Sequence, residues 1–175
     1  TVATNLTGGK FENLNRVLQG SAIGAPTTHT SAPAPHTSAP ATGTSAPATG
    51  TSAPAGADWV LAVDDDVLLP RAFLDRFVAV CEAFGLDLAQ PAQTLRSHSA
   101  WKVTRRRPAS LVRETRFVEI GPVTAFSRRA AAELLPFPEL RYGWGLDLHW
   151  AAIAEQRGWR LGVVDALPVR HESGL

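Results

Sequence analysis

The chain has 175 residues, 45% of them hydrophobic, with 17 Lys and Arg against 16 Asp and Glu and a net charge of +1. That length suits one domain with room for an appendage, and the near-neutral balance gives no electrostatic case for nucleic acid or a membrane surface as partner. The single cysteine, Cys81, excludes an intrachain disulfide framework. No apolar run is long enough to span a bilayer, so no transmembrane segment is expected. No basic segment leads into an apolar one, so no signal peptide is visible and a cytoplasmic location is expected. There is no Met, even at position 1, as expected of a fragment or a processed product.

Within residues 1–23, Gly8-Gly9 precedes Phe11, Leu14, Val17 and Leu18, which fall at helical spacing. The pattern predicts a helix over Lys10 to Gln19, stopped by Gly20 and docked on the later sheet, within a unit spanning residues 1–23. Composition then changes completely. Residues 29–56 are four tandem heptapeptides of the type His/Gly-Thr-Ser-Ala-Pro-Ala-X. Each carries Pro and none carries a large apolar residue, which rules out a coiled coil. Such a stretch buries too little surface to offset its ordering entropy. Residues 24–56 are therefore expected to be a disordered or polyproline-like insertion, and His29 and His36 within it are not ligand candidates.

A globular portion is expected from 57 to 175. Val60 to Val63 is a short apolar run that ends in Asp64-Asp65-Asp66. It reads as a buried strand from Asp58 to Val63 of an α/β sheet. Ligands of open α/β sheets sit just past the carboxyl ends of strands. Carboxylates grouped there commonly hold a hard divalent cation, Mn²⁺ or Mg²⁺, that in turn holds phosphate oxygens. A solvated acidic turn capping the next helix is the plainer alternative. Arg71 to Phe84 follows as a helix with a broad apolar stripe that includes Cys81, closed by Gly85. Leu86 to Gln90 is a second strand, ended by Pro91, and parallel pairing with the first is the expected outcome of this strand, helix, strand unit.

Residues 92–115 are polar and basic, an irregular excursion or hairpin. Arg105 and Arg107 lie in it, and the fixed fork of a guanidinium suits phosphate or carboxylate recognition. For any one of these arginines a solvated loop is the plainer role. Phe117 to Ile120 and Val123 to Phe126 are strand-like, broken at Gly121-Pro122, with Glu119 directed either to solvent or inward to a partner or substrate. A helix over Arg128 to Leu135 ends at Pro136. Trp144 lies between Gly143 and Gly145, a tight turn presenting an indole that packs or stacks on a ligand. Asp147 is expected to open a helix running from Leu148 to Arg157. It is either the helix cap, worth about 1 kcal/mol, or a well-held general base. The last strand, Trp159 to Val164, ends in Asp165 and is followed by His171, an ordinary surface histidine or a nitrogen ligand for a metal.

Four features in this order resemble a metal-dependent glycosyltransferase of the GT-A fold: the Asp64-Asp65-Asp66 triplet after a strand, the Gly121-Pro122 strand pair, Trp144-Gly145-Leu146-Asp147, and a terminal His171. The chain is similar to a glycosyltransferase-like family of unassigned activity found in plants and bacteria. Ala89-Gln90-Pro91, Val103-Thr104-Arg105-Arg106-Arg107 and Gly162-Val163-Val164-Asp165 carry the likeness further, and it covers Ala57 to Glu172. The resemblance implies an α/β domain with a mixed sheet flanked by helices, a nucleotide-sugar donor, an acceptor of unknown identity, and Mn²⁺ or Mg²⁺. It implies that Asp64 and Asp66 form the acidic pair, that His171 is a further metal ligand, and that Asp147 is the base in an inverting reaction. Trp144, Gly145, Glu119, Arg105 and Arg107 are the substrate-binding candidates. The strand and loop with which such enzymes begin have no legible equivalent before Gly8. A non-catalytic or truncated domain of this type is therefore the alternative. A metal-dependent phosphoryl-transfer enzyme ranks lower, since no Gly-x-x-x-x-Gly-Lys-Ser/Thr loop is present.

Overall fold

The computed structural model describes residues 9–18, 57–138, 140 and 143–172. The heptapeptide repeats, and with them the expected disordered insertion, lie outside the described residues. Helix α1 (Lys10–Leu18) is followed by strands β1 (Trp59–Val63) and β2 (Val67–Leu68), helix α2 (Phe73–Ala83), and strand β3 (Leu88–Gln93). After a 3₁₀ turn at Lys102–Thr104 come β4 (Val112–Thr115), β5 (Val123–Ser127), α3 (Arg128–Leu134), α4 (Leu146–Arg157) and β6 (Leu161–His171). The architecture is mixed α/β, with a six-stranded sheet in the order β1-β5-β3-β6-β2 and β4 on β6 as well.

Among the strand pairs of the described residues, β3 and β6 alone are parallel; the other strand pairs are antiparallel. This corrects the expected adjacency of the first two long strands. Both pair antiparallel to β5, so they point the same way, but β5 lies between them. Burial explains the choice. Four of the five β5 residues are fully buried, as a strand covered on both faces must be. Strand β1 has one buried residue and an exposed end, which suits an edge. Strand β3 continues through Pro91 to Gln93 instead of ending at Pro91. The missing Pro91 N–H is tolerated because the β3–β6 register shifts between Pro91 and Gln93.

Side chains on the two sheet faces build two cores. Val123 and Ala125 of β5 and Ala89 of β3 pack against Phe73, Phe77 and Cys81 of α2. Burial pushes the Cys81 thiol up to about 12, so it is a core residue, as its helix position suggests. Phe126 and Leu88 face the other way, onto α3, α4 and α1. There Phe11, Phe126, Phe137 and Trp150 form an aromatic cluster. Phe11 and Phe137 meet edge-on at 5.0 Å, and Phe126 and Trp150 at 5.2 Å. Each such contact contributes about 0.5–1.5 kcal/mol beyond area burial.

Helix α1 matches its expected start, and its expected end at Gln19 and Gly20 lies outside the described residues. The Gly9 N–H donates to Glu12 Oε2 at 3.0 Å, closing the first turn as a capping box does. Asn15 ties the helix down through two bonds of 2.7 Å, accepting from the Phe137 N–H and donating to its carbonyl. Helix α2 begins at Phe73, two residues after the expected start. Helix α4 begins at Leu146 and not Leu148, which moves Asp147 from the expected cap into the first turn. The cap is Gly145 at φ 90°, whose carbonyl accepts from the His149 N–H at 2.9 Å. A left-handed residue there is readily supplied by glycine. Phe117 to Ile120 is not a strand; Val118 is buried within a loop that leads into β5. Strand β6 begins at Leu161 and runs through Asp165 to His171.

Candidate metal centre

The acidic triplet lies where β1 leaves the sheet. The Asp64 N–H donates to the Pro122 carbonyl at 2.9 Å, so the turn is fastened to the start of β5. From there the chain crosses to the far end of β6, where Val67 pairs with His171 and Leu68 with Arg170. That crossing brings together Asp64, Asp66 and His171, which offer three ligand atoms within 4.8 Å of one another. His171 Nε2 is 3.2 Å from Asp66 Oδ1. All three residues are half-buried. Asp65 is exposed and outside the group. The donor chemistry suits a divalent cation: two carboxylate oxygens and one imidazole nitrogen match Mn²⁺, and Mg²⁺ less well because of the nitrogen.

The ligand backbone is held from several sides. The Glu172 N–H donates to the Asp66 carbonyl at 2.9 Å, continuing the β2–β6 ladder. The His171 N–H donates to Ser97 Oγ at 2.7 Å, and the His98 N–H to the His171 carbonyl at 3.3 Å. The His98 ring stands edge-on to His171 at 6.1 Å.

Beside these residues lies a second acidic group. The Glu119 N–H donates to Gln90 Oε1, its carbonyl accepts from Thr124 Oγ1 at 2.8 Å, and Oε2 accepts from Gln93 Nε2 at 3.1 Å. Burial pushes the Glu119 carboxyl up to about 7, with the Asp147 charge adding to the rise. Gln93 and Lys10 oppose the shift, and Asp64 adds to it. Asp147 is half-buried in the first turn of α4, with Oδ1 accepting from the Leu148 N–H at 2.9 Å. Glu119 is thus half-buried, held by Gln93, and within electrostatic reach of Asp147, Lys10 and Asp64. Both amides that hold it are fully buried, and Gln90 Nε2 and Gln93 Oε1 have no hydrogen-bond partner among the described residues.

Lys10 is the cation of this group. Its Nζ lies 2.5 Å from Asp64 Oδ1 and donates to the Ile120 carbonyl at 2.9 Å. Gly121 sits beside the pair. A Cβ there would lie 2.9 Å from Asp64 Oδ2 and 3.4 Å from Lys10 Nζ.

The remaining candidates are less involved. Trp144 is 81% exposed at the start of α4, and Gly145 has open space where a side chain would be. Arg105 Nε donates to Ser99 Oγ at 2.9 Å, whereas Arg107 is held through its backbone N–H, which donates to Asp165 Oδ1 at 2.7 Å. Both side chains are exposed, and these bonds do not lead to the candidate metal ligands. The structural arginine of the run is Arg113 on β4. It grips buried Asp165 at 2.6 Å and also donates to the Val103 and Arg105 carbonyls at 2.9 Å each. Asp165 thus lies within β6 as an anchor for the basic loop.

A separate cleft is lined by Trp59, Glu82, Asp87 and Arg129, at the opposite ends of β1 and β5. Its buried acid, Asp87, is satisfied by Arg129 and by the Arg160 N–H at 2.9 Å.

Sequence reasoning missed Lys10, Gln90 and Gln93. Gln90 and Gln93 carried a signal, since polar amides in a short strand of a buried sheet need a reason to be there. Lys10 carried none, because its role depends on where α1 docks. Among the described residues no helix is long and apolar enough to cross a membrane. Comparison with known proteins gave no match: no family model, no curated protein and no solved structure matches the chain.

Proposed function

We propose that the chain is a metal-dependent glycosyltransferase that moves a sugar from a nucleotide-sugar donor to an acceptor hydroxyl. The observation that carries this proposal is the convergence of Asp64, Asp66 and His171 within 4.8 Å, with the half-buried carboxyl of Glu119 feeling the charges of both Asp64 and Asp147. Asp64, Asp66 and His171 would hold the divalent cation. When bound, that cation supplies neutralising charge to the diphosphate that leaves with the nucleotide.

The acceptor hydroxyl must give up a proton as it attacks, and a carboxylate within hydrogen-bond reach takes it. Asp147 and Glu119 are the two available. Glu119 fits the task better, because a base works best with a pKa near the working pH, and burial raises this carboxyl to about 7. Gln93 fixes its orientation through the 3.1 Å bond to Oε2. Asp147 then supplies the nearby negative charge that helps keep Glu119 basic. Two carboxylates with environments this different divide acid–base roles in many active sites. Trp144 offers an exposed indole face beside Asp147 for an apolar sugar face.

The test is release of nucleoside diphosphate from a panel of nucleotide sugars, measured with the full chain in Mn²⁺ and again in a chelator. Metal-dependent release that is lost in Asp66→Ala is the expected result. Release that is absent throughout, or equal in the variant, rejects the reading.

A further inference from the structure

We propose that Lys10 makes the metal centre selective, disfavouring a bare divalent cation and favouring one delivered on a diphosphate. The inference rests on Asp64, Asp66 and His171 being the metal ligands. It begins from one ion pair: Lys10 Nζ lies 2.5 Å from Asp64 Oδ1, an oxygen of a residue in the ligand set. The ammonium is held in place from further sides. It donates to the Ile120 carbonyl at 2.9 Å and lies 5.4 Å from the centre of the Phe11 ring.

An anchoring role for Lys10 would be redundant. Helix α1 is already fixed by Phe11, which is 2% exposed within the aromatic cluster, and by the two Asn15 bonds to Phe137. Neither fixing contact involves charge. From the first turn the lysine reaches the acidic group at Asp64, a member of the ligand set.

Its electrostatic effect follows from distance. A positive charge in contact with Asp64 repels a second cation sharing that carboxylate, and it also withdraws the Oδ1 lone pairs from coordination. A bare Mn²⁺ meets both penalties. A diphosphate carries several negative charges with the cation, so the lysine attracts the complex instead of opposing it. The flexible four-carbon stem and three rotatable donors let the ammonium turn from Asp64 Oδ1 toward an anion. Asp64 is then released at the moment a cation arrives with the correct counter-charge. The group would discriminate against a free cation that arrives without donor substrate.

Calorimetric titration of the full chain with Mn²⁺ alone, and with preformed Mn²⁺–pyrophosphate, tests this without any need for turnover. Lys10→Met is expected to bind Mn²⁺ alone roughly tenfold more tightly than the natural chain. It should also lose most of the preference for Mn²⁺–pyrophosphate over Mn²⁺. Lys10→Arg keeps the charge and should behave as the natural chain does. If Lys10→Met, Lys10→Arg and the natural chain share one Mn²⁺ affinity and one preference, Lys10 has no selective role, and the inference is overturned while the metal centre stands. If Mn²⁺ binding is absent in every form, or is indifferent to Asp66→Ala, the metal centre itself is wrong, and the inference falls with it.

Discussion

His171 Nε2 lies 3.2 Å from Asp66 Oδ1, and the next backbone N–H, that of Glu172, donates to the Asp66 carbonyl at 2.9 Å. Side chains and main chain thus register the two segments together. Two candidate ligands drawn from remote parts of the sequence are positioned by a β ladder, so their approach does not depend on a cation to pull them together.

The first prediction concerns that pair. Asp66→Ala and His171→Ala should each weaken Mn²⁺ binding by about tenfold or more. Both side chains are half-buried and outside the two cores, so the thermal midpoint should change little. Parallel calorimetry and thermal denaturation check both parts. A variant that loses binding only because it unfolds would contradict the assignment.

Glu119 gives a pH prediction. Its folded value is raised from 4.5 to about 7, so the folded state holds this proton more tightly than the unfolded chain does. The resulting stabilisation is fully present below about 4.5 and is lost as pH rises through about 7. Glu119→Gln has no such proton to lose. The stability of the natural chain relative to this variant should therefore fall between pH 5 and pH 8, as read by urea denaturation at the two values. In the proposed transfer reaction, the rate of the natural chain should rise as pH passes about 7, while the variant is slow and flat across that range.

Gly143 and Gly145 make a matched comparison. Both have positive φ, 66° and 90°. A Cβ on Gly143 would lie 2.1 Å from a ring atom of Phe11, whereas one on Gly145 would meet nothing within 4 Å. Gly145→Ala should cost about 1 kcal/mol from backbone conformation alone. Gly143→Ala should cost about 2–4 kcal/mol, since the Phe11 ring must also be displaced. Chemical denaturation of the two variants measures the difference.

Asp165→Ala should destabilise the fold by about 3–5 kcal/mol, because it leaves the guanidinium of Arg113 without its buried partner. Its effect on Mn²⁺ affinity should be small under conditions where the variant stays folded. A large loss of affinity without loss of stability would place Asp165 in the metal centre, contrary to its hydrogen bonds.

Much of the fold was legible because it is local. The apolar stripe of α2, the Gly85 and Gly158 ends of α2 and α4, and the abrupt change from Val63 to three acids are all patterns within a few residues. The association of His171 with Asp64 and Asp66 was legible only through resemblance, since no spacing rule links an isolated histidine to a distant turn. Strand partners were not legible. A short apolar run such as Val123–Ser127 announces burial but carries no record of which neighbours cover its edges. For the same reason β5 was not expected between β1 and β3. The start of α4 was misread because Asp147 is a good cap by residue type, whereas glycine in a left-handed conformation starts the helix two residues earlier. Lys10 was silent because a lysine on a short amphipathic helix is indistinguishable from a solvated one until the helix is docked.

The place of β5 between β1 and β3 has a consequence for the order of assembly. The strand that delivers Asp64 can enter the sheet only through β5, whose last residue is Ser127, and His171 arrives at the end of β6. During synthesis from the N-terminus the acids therefore emerge long before the strands that hold them. Asp64, Asp66 and His171 come together only once the chain has emerged through His171, when nearly all of the described fold is in place.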